Sequence, residues 1–564
     1  MNHPPLTGAD PGPAWDRYLA NTHAVVNQPS ALADYNLYTT DVALREAVAA
    51  HGGQGEDAAL QAFGARAGSA DSLALGELAN RYPPELDTHD RFGHRIDLVR
   101  FHPAYHALME SAIGAGLHAS PWTAPGPGAQ VARAARFYMQ TQVEAGHCCP
   151  ITMTFAAVAA LRHQPELAAL WEPKITASVY DPRNVPVDRK NGITIGMAMT
   201  EKQGGSDVQA NTTRAFPLGI EGPAQAYELV GHKFFVSAPM CDAVLTLAQT
   251  GRGLTCFLMP RWRPDGSRNP VQIQRLKRKM GNVSNASCEV ELRGALAWQV
   301  GEEARGVRTI IDMVALTRFD CMLGSSAGMR AAVVQALHHC GQRSAFGRRL
   351  SEQPLMQNVL ADLVLESEAA TALSMRIARA LDAEGDDSEA LLVRLGTALG
   401  KYWICKRTPQ HAAEAMECIG GGGVMEDSPM PRLFRESPVN AIWEGSGNIQ
   451  CLDMLRSIRK TPAVLDAYFA EVGRARGGNA LLDQHVDVLK RDLSVLKDPE
   501  FVARDLADRL ALGLQASLLL RHAPGWLADA FCRSRLGGAG HRQYGTLPEG
   551  TDCAAIIARG GVQA

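Results

Sequence analysis

The sequence lacks the features of a membrane or secreted protein. It has no run of about eighteen apolar residues, and its first thirty residues contain several prolines, Asp10 and Asp16 but no apolar centre of a signal peptide. These absences predict a soluble, cytoplasmic protein that has no membrane partner.

The cysteines form neither a metal-binding nor a disulfide pattern. There are twelve, with no C-x-x-C pair, and only Cys148 and Cys149 are adjacent. We therefore expect buried, reduced thiols and no metal site.

The sequence also lacks an excess of charge of either sign. The 56 lysines and arginines nearly balance the 59 aspartates and glutamates, so the net charge is −3. This balance excludes a global attraction to DNA or to anionic membranes. A surface that binds nucleic acid must therefore be local.

The hydrophobic periodicity changes twice along the 564 residues, which exceed what one core usually supports. Residues 1–190 combine an irregular arm with helical patterns, 191–302 consist of short strand-like runs, and 303–455 return to long helical patterns. Residues 456–564 add a further helical region, which the sequence suggests is separable. The predicted fold class is α+β, mostly α, with a helical N-terminal domain, a small β-sheet domain, a helical bundle and an extra C-terminal helical domain.

Two stretches of the predicted β domain suit a planar, phosphate-bearing ligand. The loop of residues 199–208, MTEKQGGSDV, contains Gly205 and Ser206, which allow backbone N–H groups to approach a flavin or a pyrophosphate. In the strand GHKFFVSA, Phe235 and Ser237 share one face. Taken singly, an ordinary turn and ordinary core packing are the better explanations.

Two further stretches lie in the helical bundle. In AIWEGSGNIQ, Glu444 stands between an apolar pair and a Gly-Ser-Gly turn, where desolvation would raise its pKa toward that of a general base. Taken alone, a carboxylate at a helix start with Ser446 as the cap is favoured. In QRSAFGRRL, Arg343, Arg348 and Arg349 suit a helix C-terminus or a pyrophosphate.

In order and spacing, these stretches resemble the acyl-CoA dehydrogenase family over residues 100–455. TEKQGGSD resembles its flavin loop, GHKFFVSA its G-x-K-x-W-I-T strand, and IWEGSGNIQ its Y-EGT-x-x-I-Q segment. The resemblance implies FAD as cofactor, Glu444 as the base that takes the substrate α-proton, and a dimer-of-dimers homotetramer. It also implies FAD contacts at Met199, Thr200, Gly205, Ser206, Phe235, Val236, Ser237, Ile442, Trp443, Ser446 and Asn448, with Arg343, Phe346, Ile419, Gly420 and Gly421 reaching the FAD of a neighbouring subunit.

Longer stretches, including LKRKMGNVSNASCEVE and PVNAIWEGSGNIQCLDMLRS, resemble the AidB-type flavoproteins within that family over nearly the whole chain. This closer resemblance implies a part in the adaptive response to DNA alkylation, double-stranded DNA bound through the C-terminal region, and at most weak acyl-CoA dehydrogenase activity. An alkylating small molecule is a further partner that it suggests. The alternative is an active acyl-CoA dehydrogenase or oxidase with hydride transfer to flavin N5.

The charge of the C-terminal region supports DNA binding only weakly. Residues 455–564 hold fifteen lysines and arginines against twelve aspartates and glutamates. An effective site requires several cations on one face, because affinity grows with the number of phosphates contacted. The candidates are Arg456, Arg459, Lys460, Arg533, Arg535 and Arg542. The alternative is a solvated packing domain or an oligomer interface.

Overall fold

The computed structural model describes residues 23–383, 385–495, 497–538 and 543–562. The N-terminal part is helical, as predicted, although residues 85–100 form a strand hairpin that the sequence did not reveal. Asp382 accepts hydrogen bonds from the backbone N–H groups of Gly128 and Gln130, so a distant carboxylate caps the longest of these helices. The elements are α1 Val42–Ala50, α2 Asp57–Ala67, α3 Ala70–Arg81, β1 Glu85–His89, β2 Arg95–Arg100, α4 Pro103–Gly114, α5 Ser120–Thr123, α6 Ala129–Val143, α7 Cys148–Leu161 and α8 Pro165–Ile175.

A seven-stranded sheet follows, in which six strands have the order β3-β6-β4-β5-β9-β7 and β8 pairs with β9 outside that order; the pairing of β7 with β6 closes the sheet on itself. The strands are β3 Ile195–Ala198, β4 Arg214–Pro217, β5 Ala226–Ser237, β6 Ala243–Gln249, β7 Leu254–Pro260, β8 Val271–Leu276 and β9 Ser287–Val300. Strands β6 and β7 are buried almost throughout, which explains their apolar sequences. The short β4 and the polar β8 escaped prediction because much of each strand is exposed.

The helical bundle consists of three long helices and shorter segments that shape the site. Pro354 begins the second long helix and Asp386 caps the third, accepting hydrogen bonds from two backbone N–H groups. The elements are α9 Gly306–Gln342, β10 Ser344–Ala345, β11 Arg348–Arg349, α10 Pro354–Leu381, α11 Asp387–Ile419, α12 Met430–Glu436 and α13 Gly447–Lys460.

The C-terminal helices do not pack as a separate unit. They share one hydrophobic core with the bundle and the N-terminal helices, including Tyr468, Leu510 and Ile556. Glu471 of the C-terminal region binds Arg376 of the bundle across this junction and also pairs with Arg521 of the C-terminal region. The helices are α14 Ala463–Gly473, α15 Ala480–Ser494, α16 Ala503–His522, α17 Gly525–Arg535 and α18 Cys553–Gly560. None of the described helices is long and apolar enough to cross a membrane.

The structure corrects one predicted DNA contact. Arg535 is buried, and its guanidinium lies 2.5 Å from Asp362 and 3.1 Å from Glu366. A charge that is buried and paired in this way holds the tail to the bundle and is not available to a phosphate. Arg533 is partly exposed two residues earlier, whereas Arg542 lies outside the described residues.

Candidate active site

Glu444 lies in a tight turn that the buried Lys401 and the partly buried Arg318 hold in place. The ammonium of Lys401 donates to the carbonyls of Trp443 and Gly445 at 2.7 and 2.6 Å, and Arg318 Nε donates to the Glu444 carbonyl at 2.8 Å. These bonds support a left-handed backbone at Glu444, where φ is 58°. The following residue must be glycine, since a Cβ on Gly445 would approach the Gln450 side chain to 2.8 Å.

The Glu444 side chain is directed toward α9 and does not cap a helix. Its Oε2 accepts a 3.0 Å hydrogen bond from Thr317 Oγ1, and Ser446 makes no side-chain cap at the start of α13. Burial raises the pKa of Glu444, and the Thr317 bond and the charges of Lys401 and Arg318 only partly oppose it. A partly buried carboxylate with a raised pKa is the kind of group that acts as a general base.

A cavity opens beside this turn. It has a volume of about 70 Å³ and lies between helices α6, α7, α9, α11 and α12. Trp443 lines it and is oriented by a 2.8 Å hydrogen bond from its indole N–H to Asn440. Most of the wall is apolar, with Asp320, Arg432 and Glu436 as the charged residues. Trp443 connects this cavity to the turn that carries Glu444, and Glu444 itself is not among the lining residues.

The predicted flavin loop is anchored by a buried ion pair. Glu201 Oε1 lies 2.8 Å from the ammonium of Lys233, and both side chains are fully buried. The same carboxylate accepts hydrogen bonds from the backbone N–H groups of Thr212 and Thr213. The Thr200 carbonyl accepts a 2.8 Å bond from the Phe234 N–H, which fixes the loop against β5. The loop position is therefore set by contacts beneath it.

The exposed surface of this loop and of β5 fits a flavin. Phe235 is 41% exposed although it lies in a strand, and Ser237 beside it is only partly buried. Gly205 has only the Thr200 side chain within 4 Å of its missing Cβ, so a planar ligand can approach the main chain. Val236 is the exception, because its side chain packs in the sheet core and leaves only its backbone for a cofactor.

Of the residues predicted to reach a neighbouring FAD, Phe346, Gly420 and Gly421 are exposed, whereas Arg343 and Ile419 are partly buried. Phe346 is 97% exposed at the tip of the β10–β11 hairpin, with φ of 51°. Arg343 donates a 2.6 Å hydrogen bond to the Asn27 carbonyl, and Gly420 has open space where a Cβ would be.

Asn448 and Ile442 were predicted to contact the FAD of the same subunit. Asn448 accepts a 2.9 Å hydrogen bond from Arg504 of α16. Ile442 is 67% exposed.

Sequence reasoning missed Thr317, Arg318 and Lys401. Their only signal is that polar residues interrupt long helices that are otherwise buried, as in LTRFDC. Such residues are common at helix surfaces, so the signal becomes specific only when the fold brings Glu444 to them.

Three consecutive parts of the chain match known domains. Residues 27–182 match the AidB N-terminal domain, 196–295 the acyl-CoA dehydrogenase middle domain and 304–459 the acyl-CoA dehydrogenase C-terminal domain. Together with the fold and the carboxylate site, these matches show that the chain belongs to the acyl-CoA dehydrogenase family and, within it, to the AidB type. FAD is accordingly its cofactor.

Individual relatives agree with this assignment. The chain is 47% identical to the putative acyl-CoA dehydrogenase AidB of Escherichia coli, over 92% of this chain and 95% of that protein. The structure of Caenorhabditis elegans ACDH-11 in complex with C11-CoA matches with a TM-score of 0.83 and 25% identity, covering 97% of this chain and 94% of that chain. A Bacillus anthracis acyl-CoA dehydrogenase complexed with FAD shares the fold, with a TM-score of 0.62 and 18% identity over 76% of this chain and 80% of that chain.

Proposed function

We propose that the protein removes the α-proton of an acyl-CoA with Glu444, coupled to loss of the β-hydride. The observation that carries this proposal is the carboxylate of Glu444, held by Thr317 beside Trp443 and the cavity. FAD supplies the hydride acceptor when it is bound. The loop at Gly205 and the exposed face of Phe235 would hold its ring system.

The protein residues have distinct tasks in this reaction. Glu444 accepts the proton, and its raised pKa favours that transfer near neutral pH. Thr317, Arg318 and Lys401 orient the turn, while Trp443 closes the cavity on the side of the base. The C11-CoA bound by the C. elegans relative supports an acyl-CoA as the substrate class.

The test is flavin bleaching by a panel of acyl-CoAs under anaerobic conditions. Glu444→Gln is expected to retain FAD and to lose bleaching, because the amide cannot accept the proton. Glu426→Gln is the matched control, since Glu426 is an exposed carboxylate paired with Arg435. Unchanged bleaching in Glu444→Gln would remove this residue as the base.

A second function, binding of double-stranded DNA and its protection from alkylation, is favoured by cations at the end of α13. Arg456, Arg459 and Lys460 are exposed there, at a helix C-terminus. Arg533 adds a partly exposed cation on α17. The AidB-type N-terminal domain, named for an adaptive response, supports the same role. If DNA protection is the main function, the acyl-CoA dehydrogenase activity is expected to be weak.

Duplex DNA retention measured against salt concentration tests this function. Reversing the charge of Arg456, Arg459 and Lys460 together is expected to weaken binding for all DNA sequences alike. The slope of log affinity against log salt concentration is expected to fall by the amount that about three phosphate contacts contribute. Arg293→Glu, an exposed cation of β9, serves as the control. Binding that does not respond to salt would contradict phosphate contacts.

The exposed apolar side chains favour a homotetramer built as a dimer of dimers. Phe346, Leu355 and Val424 are each at least two-thirds exposed and are available for contact with a neighbouring subunit. In this assembly Arg343, Phe346 and the turn of residues 419–421 contribute to the FAD site of a neighbouring subunit.

A further inference from the structure

A second constellation of polar groups borders the same cavity and is separate from Glu444. His147 is fully buried at the start of α7, and its Nδ1 lies 2.9 Å from Glu144 Oε2. The Glu144 carboxylate also accepts hydrogen bonds from the Gly146 and His147 backbone N–H groups, each at 2.8 Å, and from Asn80 at 2.9 Å. These bonds fix the imidazole with Nδ1 toward the carboxylate and Nε2 away from it.

The Nε2 side of this imidazole meets a thiol. Cys148 Sγ lies 3.9 Å from His147 Nε2 and 3.6 Å from the Glu144 carbonyl, and Thr141 Oγ1 is 3.7 Å away. Cys148 is also the first residue of the fourteen-residue helix α7, where the helix dipole favours negative charge. Carboxylate, imidazole and thiol therefore stand in the order found where cysteine is activated as a nucleophile.

Three cysteines line the cavity and differ in their surroundings. Cys148, Cys149 and Cys321 all line it, and all three are buried. Burial raises the pKa of Cys149 to about 12 and that of Cys321 well above its ordinary value. Burial also lowers the pKa of His147, but the Cys148 sulfur and the Glu144 carboxylate outweigh it and raise that pKa to about 10. Only the first of the three thiols has an imidazole beside it.

We propose that Cys148 is a nucleophile that takes an alkyl group from small, uncharged carbon electrophiles entering this cavity. With the thiol proton resident on His147 Nε2, the sulfur forms a bond to the electrophilic carbon, and the leaving group departs with the electron pair of the broken bond. The products are a thioether at Cys148, an imidazolium at His147 and the released anion. The step needs neither bound FAD nor Glu444.

The surrounding groups suit both protonation states of the imidazole. Gln140 Nε2 lies 2.9 Å from His147 Nε2, so its amide N–H occupies the Nε2 lone pair of the neutral ring and must be released before Nε2 carries the thiol proton. Rotation of that amide presents its oxygen to the imidazolium instead. Glu144 holds the positive charge from the other side. Burial alone would raise the pKa of the Glu144 carboxyl, but the hydrogen bonds and the charge of His147 outweigh it and lower that pKa to about 2.

Iodoacetamide is a suitable probe because it is small, uncharged and leaves an amide on the sulfur after iodide departs. The full-length, FAD-loaded protein is exposed to it under native conditions, and the modified cysteines are quantified by peptide mass spectrometry over time. We expect Cys148 to react at least ~10-fold faster than Cys149 and Cys321, which share its cavity but have little thiolate. Equal rates, or modification of Cys149 first, would overturn the proposal.

Two variants separate activation from simple accessibility. Cys148→Ser is expected to remove the fast phase and leave the slow phases of the other thiols. His147→Asn is expected to slow Cys148 by about tenfold without changing the Cys149 rate, because only the proton acceptor is lost. Loosened packing would accelerate both thiols together, so an increase at both sites, or an unchanged Cys148 rate, counts against His147 as the base. The wild-type comparison decides the proposal even if His147→Asn does not fold.

Discussion

Thr317 and Glu444 are 127 residues apart in the chain, yet the hydroxyl of the first donates a 3.0 Å hydrogen bond to the carboxylate of the second. Arg318, the next residue of α9, binds the backbone carbonyl of the same glutamate. One turn of α9 therefore positions both the side chain and the backbone of the proposed base. This contact links the long bundle helix directly to the protonation of Glu444.

Removing the Thr317 hydroxyl changes the pH dependence of acyl-CoA-dependent flavin reduction. The hydrogen bond stabilises the ionised carboxylate and lowers its pKa, so Thr317→Val is expected to raise the Glu444 pKa further. If the hydrogen bond contributes about 1 kcal/mol net, its loss raises the pKa of Glu444 by about 0.7. Because the base acts when ionised, the midpoint of the rate profile moves to higher pH by that amount. Thr309→Val on the same helix is the control, and a midpoint that stays in place would contradict this role.

The buried pair of Glu201 and Lys233 supports the flavin loop. Lys233→Met leaves an uncompensated buried carboxylate and is expected to lower the free energy of unfolding by about 3–5 kcal/mol. Urea unfolding followed by circular dichroism measures this loss, and flavin absorbance reports FAD retention. The double variant Glu201→Gln/Lys233→Met is expected to recover part of the stability, because neither charge is then left alone. A double variant less stable than Lys233→Met would be evidence against this explanation.

Two arginines of α17 that are two residues apart are expected to behave oppositely. Arg535→Ala removes the partner of the buried Asp362 and Glu366 and is expected to cost about 3–5 kcal/mol. Arg533→Ala is expected to change stability by less than ~1 kcal/mol, since its 3.8 Å contact with Asp529 is partly exposed. Urea unfolding of both variants makes the comparison. Similar losses in the two variants would show that the Arg535 pairing is not what holds the tail.

Phe346 tests the proposed assembly. An aspartate at this exposed hairpin tip is expected to weaken contact with a neighbouring subunit and to lower FAD retention while leaving the subunit folded. Light scattering during size-exclusion chromatography gives the mass, and the flavin-to-protein absorbance ratio gives the cofactor content. Phe92→Asp, at another exposed phenylalanine, is the control. A Phe346→Asp protein that stays tetrameric and fully loaded would place the subunit contact elsewhere.

Local sequence patterns predicted most elements because periodicity follows burial. The helical region predicted from residue 303 begins with α9, and the predicted strand GHKFFVSA lies in β5. Strand β8 escaped because its exposed face carries polar residues, and the hairpin β1–β2 escaped because its register depends on pairing rather than on composition. Family motifs predicted the position of Glu444 in the chain but not the groups around it.

The sequence alone thus determined the class of fold, and the resemblance of short motifs to a known family predicted the flavin loop and the base, since each motif consists of residues close together in the chain. Only the tertiary structure decided the environment of the charged groups. It paired Arg535 with carboxylates of α10 and placed Thr317 on Glu444. It also placed Cys148, with His147 beside it, on the cavity wall. The physical reason is that desolvation and pairing depend on which distant side chains meet, and no local pattern records those encounters.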